Sequence, residues 1–224
     1  MTAERKQALV AWSSGKDSAY ALHLARQDES LEVVGLLTTV TDAYERVAMH
    51  GVREALLDAQ AAAVGLPLVK VRIPSPCPNE VYERAMGEAM AAALADGIDH
   101  VVFGDLFLAD IRAYREAQLA RIGMTPVFPL WLRDTAALAR EMIREGIEAV
   151  LTCVDPKQLD RSFAGRTFDA ALLAALPASV DPCGENGEFH TLVTAGPMFA
   201  RPIATRTGAV VERDGFVFAD VLPA

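Results

Sequence analysis

The feature that most constrains the fold is a short polar turn between an apolar segment and a helical segment near the N-terminus. Residues 9–12 are apolar and predict a strand, residues 13–18 form the polar turn, and residues 19–26 have the composition of a helix. At a strand–turn–helix junction, unpaired backbone N–H groups and the positive end of the helix dipole converge on one point. The sequence therefore predicts an anion site there, with phosphate or pyrophosphate as the favoured ligand.

The side chains of this turn, which we call the anion turn, suit the same ligand. Hydroxyl groups add donors, a glycine lets the backbone approach an oxyanion, and a lysine adds positive charge. The turn consists of Ser13, Ser14, Gly15, Lys16, Asp17 and Ser18. It is not a Walker phosphate loop, because the positions that would need glycine and a hydroxyl hold Val10 and Asp17. The alternative is a plain N-cap, with Ser or Asp opening a surface helix.

Composition narrows the ligand classes and the setting. A net charge of −9 and a pI near 4.9 argue against general nucleic-acid binding, which needs clustered Lys and Arg. The three cysteines are far apart, which disfavours a zinc or iron–sulfur site and predicts a reducing, cytoplasmic setting. The N-terminus has no apolar signal segment and no run of membrane-spanning length, so we expect no membrane partner.

The first half of the chain alternates between strand-like and helix-like segments. The predicted strands are 7–12, 31–38, 68–73 and 99–103, and the predicted helices are 17–26, 51–64 and 79–95. This alternation predicts a parallel sheet of the Rossmann-like α/β class. Ligands of such sheets bind beyond the carboxyl ends of the strands, where the anion turn and the pair Gly104 and Asp105 both fall. One shared site is therefore expected.

The second half has a different character and predicts a smaller α+β portion. Its predicted helices are 110–122, 134–144 and 167–176, and its predicted strands are 125–130, 147–154, 209–212 and 216–221. The last two strands flank Arg213-Asp214-Gly215, a sequence typical of a hairpin turn. We expect two domains, residues 1–128 and residues 129–224.

The hexapeptide of the anion turn resembles the Ser-Gly-Gly-x-Asp-Ser signature of PP-loop ATP pyrophosphatases. Ser14 takes the place of one family glycine, a tolerable departure if this position keeps a negative φ. Enzymes of that family cleave ATP between the α and β phosphates. The resemblance implies an adenine nucleotide alpha-hydrolase-like (HUP) domain with ATP as cofactor.

A second motif lies in residues 181–191, Asp-Pro-Cys-Gly-Glu-Asn-Gly-Glu-Phe-His-Thr, which we call the acidic loop. Its Gly-Glu-x-Gly-Glu-Phe-x-Thr pattern resembles the C-terminal signature of the diphthine–ammonia ligase family and its bacterial relatives. Matching pieces occur in order between the motifs: Phe103-Gly104-Asp105, a helix with Arg112 and Glu116, and Pro129-Leu130-Trp131. Taken alone, the loop could also be a solvated turn before a strand.

The resemblance implies an ATP-dependent ligase that adenylates a carboxylate and amidates it with ammonia, releasing AMP and pyrophosphate. By the same resemblance, the anion turn holds the phosphates and Gly104 and Asp105 border the reacting centre. Glu185, Glu188 and Thr191 would face the acceptor, and Arg112 and Glu116 would help to bind it. Arg112 and Arg115 could both clamp an acidic substrate, while a solvated helix face is the alternative for Arg115. Either Asp17 or Asp105 could orient Mg²⁺, which usually takes one or two carboxylates; for Asp17 the alternative is a charge that complements the helix dipole.

Two histidines are candidate site residues that the family resemblance does not supply. His50 and His190 each sit near glycine in polar loops, where a neutral imidazole could act as general base toward ammonia. The alternative for each is a hydrogen-bonded loop histidine. The segment 44–51 and the ending Phe189-His190-Thr191 depart from family members that act on diphthine, which leaves a different small-molecule or protein carboxylate as the expected acceptor.

Two other functions remain open from the sequence, and a homodimer is possible. One is a non-catalytic ATP-binding sensor module, which would leave the ionisable groups of the acidic loop without a role. The other is a PP-loop tRNA-modifying enzyme, which the acidic pI and the absence of paired cysteines disfavour.

Overall fold

A twisted parallel sheet forms the first half of the molecule. The computed structural model describes residues 5–41, 46–47 (backbone only) and 51–224. The strands of this sheet are β1 (Lys6–Ala11), β2 (Leu31–Thr41), β3 (Arg46–Val47), β4 (Leu68–Ile73), β5 (His100–Val102) and β6 (Thr125–Val127). Five of them run parallel in the order β4-β2-β1-β5-β6, and β3 pairs antiparallel with the end of β2. The predicted Rossmann-like α/β class is confirmed.

The order of the parallel strands places a ligand crevice at one point of the sheet. From β1, the chain moves outward to β2 and β4, and then returns to the other side of β1 for β5 and β6. The strand order therefore reverses between β1 and β5, and loops that leave the carboxyl ends of these two strands diverge there. The anion turn follows β1, and Gly104 follows β5.

Four helices cover the two faces of this sheet. They are α1 (Lys16–Gln27), α2 (Glu54–Val64), α3 (Asn79–Ala95) and α4 (Ala109–Ala120). Helices α3 and α4 pack on one face, in a core that contains Leu9, Val71, Met90 and Leu119. Helices α1 and α2 pack on the other face, where their core is continuous with that of the second half of the chain.

The second half forms an antiparallel sheet with two helices, α5 (Thr135–Arg144) and α6 (Ala170–Ala175). Its strands are β7 (Glu148–Val154), β8 (Phe189–Ala195), β9 (Thr205–Arg213) and β10 (Phe216–Pro223), in the order β8-β7-β10-β9. Asp214 and Gly215 have positive φ angles of 52° and 82° and join β9 to β10 in a two-residue turn. The predicted hairpin and the smaller α+β portion are confirmed, while the domain boundary at 128/129 stays a prediction.

Several element boundaries differ from prediction for local reasons. Helix α6 begins at Ala170 rather than at residue 167, because the Asp169 side chain accepts a hydrogen bond from Leu172 N (2.7 Å) and caps the helix there. Strand β2 runs to Thr41 because β4 and β3 pair with its last residues. Strand β6 ends at Val127, not at residue 130. Among the described residues, no helix is long and apolar enough to span a membrane.

Candidate active site

Backbone packing brings the anion turn against the carboxyl end of β5. A Cβ atom added to Gly104 would lie 2.7 Å from the carbonyl carbon of Asp17 and 2.8 Å from Ser18 N. Only glycine therefore allows the loop after β5 to approach the N-terminus of α1 this closely. Two sequence-predicted pieces, the anion turn and the pair Gly104 and Asp105, thus meet at the switch point of the sheet.

The hydroxyl groups of the anion turn hold its shape from within. Ser18 Oγ donates to Gly15 O (3.0 Å) and lies 3.1 Å from Ser13 Oγ. Ser13 N donates to Ser18 Oγ at 3.3 Å. Gly15 is the N-cap of α1 and supplies no side-chain cap, and the N–H of Lys16 is taken up by Thr191 Oγ1 on β8 instead. This arrangement fits an anion site better than a side-chain-capped surface helix.

Ser14 adopts a conformation that the sequence analysis did not expect. Its φ is +73°, in the left-handed region, so the condition of a negative φ is not met. A non-glycine residue in this region is strained by roughly 1–2 kcal/mol. Ser14 is completely buried, and its Oγ has no hydrogen-bond partner among the described residues. The family glycine at this position therefore has a conformational reason, and Ser14 is held in place by contacts of its backbone.

Those backbone contacts come from two distant parts of the chain. The Ser14 carbonyl accepts hydrogen bonds from Gln60 Nε2 (3.0 Å) on α2 and from Val193 N (3.0 Å) on β8. Gln60 is fully buried, accepts from Trp12 Nε1 (2.9 Å) and also donates to the Val193 carbonyl (2.8 Å). Gln60 is a residue that the sequence analysis missed, because a single amide within an Ala-rich helix gives no signal of its partners.

Lys16 is buried, and its ammonium group is fixed by three acceptor oxygens. Nζ donates to Asp17 Oδ1 (3.1 Å) and Oδ2 (2.9 Å) and to the carbonyl of Cys183 in the acidic loop. The rings of Phe168 and Phe189 lie 5.5 and 5.4 Å from it. Burial acts to lower the pKa of Lys16, but the Asp17 carboxylate leads the charges that together raise it. Lys16 therefore remains a cation at neutral pH.

Strand β8 brings Thr191 to the start of α1. Thr191 Oγ1 accepts a hydrogen bond from Lys16 N at 3.1 Å, and the side chain is buried. A hydroxyl can accept and donate at the same time. Thr191 therefore takes up the Lys16 N–H and can offer its own O–H to a ligand in the cavity. The predicted acceptor-binding residue thus contacts the anion turn directly.

A cavity of about 260 Å³ lies where these groups converge. Nine of the predicted site residues line it: Ser13, Lys16, Asp17, Ser18, Gly104, Asp105, Glu185, His190 and Thr191. Five others that the structure describes do not: Ser14, Gly15, Glu188, Arg112 and Glu116. The remaining one, His50, lies outside the described residues. The structure therefore joins the first motif, the pair after β5 and half of the acidic loop in one site.

The two glutamates of the acidic loop have different environments. Glu185 lines the cavity and accepts hydrogen bonds from Leu106 N (2.8 Å) and Phe107 N (3.4 Å). Burial, with the nearby charge of Asp17, raises its pKa to about 7, although the N–H donors oppose this shift. Glu185 can therefore exchange a proton near neutral pH.

Glu188 instead organises the acidic loop from inside. Its carboxylate accepts hydrogen bonds from Asp181 N (2.8 Å), Asn186 N (2.9 Å) and Asn186 Nδ2 (3.0 Å). The side chain is 1 % exposed and does not line the cavity. A carboxylate so used shapes the loop that presents Glu185, while its predicted catalytic role stays a prediction.

His190 lines the cavity and is half-buried. Burial and the positive charge of Lys16 lower its pKa to about 4, against the opposing effect of Glu188. The imidazole is therefore neutral at physiological pH, as a general base must be, although its low pKa makes it a weak base.

Asp105 is paired with Arg115, for which the sequence left a substrate clamp and a solvated helix face open. Arg115 Nε lies 3.1 Å from Asp105 Oδ1 and 3.0 Å from Oδ2, and its guanidinium stacks 4.4 Å from the Phe103 ring centroid. Arg112, which was predicted, instead stacks on Phe128 and Trp131 away from the cavity and pairs with Glu116 at 2.7 Å. The phase of α4 decides between the two arginines, and sequence spacing alone did not fix that phase.

Three carboxylates line this cavity: Asp17, Asp105 and Glu185. Mg²⁺ bound together with nucleotide phosphates and water usually takes one or two carboxylates, and Asp17 and Asp105 are the predicted pair. Each carboxylate is, however, already paired with a cationic side chain. Among the described residues, no group of three or more His, Cys, Asp or Glu side chains could hold a metal. The donor set thus fits a nucleotide-bound Mg²⁺ and not a dedicated protein metal site.

Comparisons with known proteins agree with this geometry. A model of the diphthamide synthase N-terminal domain matches residues 6–126, and a model of its C-terminal domain matches residues 134–214. Among curated relatives, diphthine–ammonia ligase from Rattus norvegicus is 28% identical over 93% of this chain and 86% of its own length. The Homo sapiens enzyme is 27% identical over the same shares, and the Danio rerio enzyme is 28% identical over 93% and 90%. These matches confirm the resemblance inferred from the two motifs.

Proposed function

Because the chain belongs to the diphthamide synthase family, we propose that it is an ATP-dependent ligase that converts a carboxylate into an amide with ammonia. One observation carries the proposal: the anion turn, Gly104 and the acidic loop line a single cavity at the switch point of a parallel sheet. An anion-binding helix N-terminus supports nucleotide binding, and ionisable groups across the cavity support chemistry beside the phosphates. A protein that only senses ATP would need the anion-binding helix N-terminus but not the ionisable groups.

The proposed roles follow from the position of each group. The triphosphate of ATP would lie at the N-terminus of α1, with Ser13 and Thr191 as hydroxyl donors. Lys16 supplies a fixed positive charge beside it. Negative charge that develops on departing pyrophosphate is stabilised by such a preorganised cation and helix end. Mg²⁺ bound to the nucleotide would add further charge neutralisation, with Asp17 and Asp105 as the residues that would hold it.

The proposed reaction has two balanced steps. A carboxylate oxygen of the acceptor bonds to the α-phosphorus of ATP, the bond from that phosphorus to the bridging oxygen breaks, and pyrophosphate leaves. Ammonia then bonds to the acyl carbon, the bond from that carbon to the AMP oxygen breaks, and one proton is released. Glu185, with its pKa of about 7, is the cavity group best matched to accept that proton.

The acceptor itself is proposed to be a carboxylate other than diphthine, carried by a small molecule or a protein. The curated relatives that match over 93% of this chain are diphthine–ammonia ligases at 26–28% identity. The acidic loop ends in Phe189-His190-Thr191. This ending and the segment 44–51 in the first half of the chain both depart from the family members that act on diphthine. The cytoplasmic setting and the homodimer stay predictions.

The test is ATP consumption with Mg²⁺ and ammonium across a panel of carboxylates, with AMP resolved from ADP. We expect AMP and pyrophosphate only when a suitable acceptor is present. Lys16→Ala should lower kcat by about 10²- to 10³-fold, because it removes a charge aimed at the leaving group. Lys6→Ala, an exposed lysine at the start of β1 and so at the opposite end of that strand from the anion turn, is the matched control and should behave as wild type.

Other products would contradict the proposal in distinct ways. Formation of ADP would mean that a different bond of ATP is cleaved. Binding of ATP without turnover on any carboxylate would favour the sensor module. Equal activity of wild type and Lys16→Ala would remove Lys16 from the chemistry.

A further inference from the structure

A second cavity, of about 140 Å³, lies beside the candidate active site between helices α3 and α4. We call it the α3–α4 groove. Its walls are predominantly apolar and aromatic, with Tyr82, Met86 and Met90 on α3 and Tyr114 on α4. Tyr114 is 42% exposed. An apolar, concave surface with a flexible methionine lining is suited to a small apolar ligand.

The groove and the active-site cavity share a wall. Phe103 and Arg115 line both spaces. The Arg115 guanidinium carbon lies 4.4 Å from the centroid of the Phe103 ring, and its Nε donates to Asp105 inside the active site. The side chain is 32% exposed, so it can change its position without unpacking the core. A ligand in the groove would therefore have one end beside a guanidinium at the edge of the active site.

The space beside Gly87 is not filled by other side chains of the protein. Gly87 lies in the middle of α3 and lines the groove, and a Cβ atom added there would meet no atom within 4 Å. Glycine inside a helix costs about 0.5–1 kcal/mol relative to alanine. Neither backbone angle nor crowding accounts for this residue, whereas the open space that it leaves is available to a ligand.

We propose that the α3–α4 groove binds the apolar tail of the carboxylate acceptor, with the carboxylate directed past Arg115 toward the nucleotide. This inference rests on the proposed function and narrows its substrate to a monocarboxylate with an apolar tail. The Arg115 guanidinium on the shared wall is already paired with Asp105, so an acceptor carboxylate would share it with Asp105, and the lining beyond it matches hydrocarbon. The other guanidinium of the groove, that of Arg121, donates to Gln118 Oε1 (3.3 Å) and does not line the active-site cavity, so Arg115 is the cation that faces both spaces.

The activity test uses acetate, butyrate, hexanoate and octanoate as acceptors. Each added methylene that is buried in the groove should raise kcat/KM by about fourfold, until the groove is full. Gly87→Phe should fill the groove and raise KM for octanoate at least tenfold, while the KM values for acetate and ATP stay unchanged. Ala92→Phe, at an exposed position of α3 outside the groove, should match wild type.

A binding test separates this inference from the proposed function. With methyl-labelled methionine, octanoate should shift the NMR resonances of Met86 and Met90 in wild type but not in Gly87→Phe. Met142 and Met198, which are buried elsewhere, should not shift. Methyl shifts without AMP formation would support the groove as a carboxylate site while the proposed function fails. AMP formation that ignores chain length, with no shifts and no effect of Gly87→Phe, would overturn the inference and leave the proposed function standing.

Discussion

The two loops that build the active-site cavity are held in different ways. The anion turn receives decisive contacts from outside: Gln60 and Val193 bind the Ser14 carbonyl, and Thr191 binds Lys16 N. The acidic loop also has outside contacts, at the Cys183 carbonyl and at Glu185, but its turns are shaped from within, because Glu188 accepts N–H donors from Asp181 and Asn186. A loop supported from a distance is sensitive to changes far away in sequence, whereas a self-supported loop is sensitive to its own residues.

Removal of the outside support should have the largest effect. Gln60→Leu leaves Trp12 Nε1 and the Val193 carbonyl without this partner in the core, where each unsatisfied group costs about 1–3 kcal/mol. We expect the free energy of unfolding to fall by about 3 kcal/mol and ATP affinity to fall with it. Urea denaturation and calorimetric titration with ATP would measure both.

The matched control is Gln27→Leu, an exposed amide at the end of α1, which should change stability by less than about 0.5 kcal/mol. If Gln60→Leu unfolds at the wild-type midpoint, the anion turn does not depend on outside support, and the contrast between the two loops is lost.

A smaller loss is expected from within the acidic loop. Glu188→Gln puts an NH₂ group where a carboxylate oxygen accepts N–H donors, which should cost about 2 kcal/mol of stability. Thermal unfolding would measure this loss. The affinity for ATP at the anion turn should change much less than in Gln60→Leu.

Glu185→Gln, in the same loop, is the control, because it should change the pH dependence of stability and not the hydrogen bonds that Glu188 makes within the loop. The folded pKa of Glu185, about 7, lies above its ordinary value of 4.5, so the folded state holds the proton more tightly than the unfolded state. Wild-type stability should therefore fall as pH rises from about 4.5 to about 7, by about 1–2 kcal/mol once solvent screening is allowed for. Glu185→Gln should lack this part of the pH dependence. A pH dependence that persists in the variant would show that another group titrates.

The smallest expected effect is a gain. Ser14→Gly relieves the left-handed strain at φ +73° and removes a buried hydroxyl without a described partner, at the expense of a more flexible unfolded chain. We expect stability to increase by about 0.5–1 kcal/mol, measured by urea denaturation. Ser14→Ala removes the hydroxyl but keeps the strain, and is the control. If both variants are equally stable, the outside contacts do not compensate for backbone strain at Ser14.

Sequence reasoning located the site well but did not resolve how its parts are held. Strand and helix periodicity, with the rule that ligands bind at carboxyl ends of parallel strands, was sufficient to bring the anion turn and Asp105 together. These are local patterns plus one topological rule. The same reasoning predicted the smaller α+β portion and its hairpin.

What it could not supply depends on long-range contacts and helix phase. The positive φ of Ser14 is imposed by Gln60 and Val193, which lie far away in sequence. The choice of Arg115 over Arg112 depends on a rotation of α4 that spacing does not determine. Glu185 and Glu188 have different environments because each follows a glycine with a positive φ, Gly184 and Gly187, at which the chain turns.

The contacts of β8 with the anion turn also have a consequence for the order of events at the ribosome. Thr191 lies 175 residues after Lys16, and the Cys183 carbonyl lies 167 residues after the ammonium that it binds. The anion turn cannot acquire these partners until residues 183–191 have been synthesised. A nascent chain therefore completes this cavity long after the turn at its centre has left the ribosome.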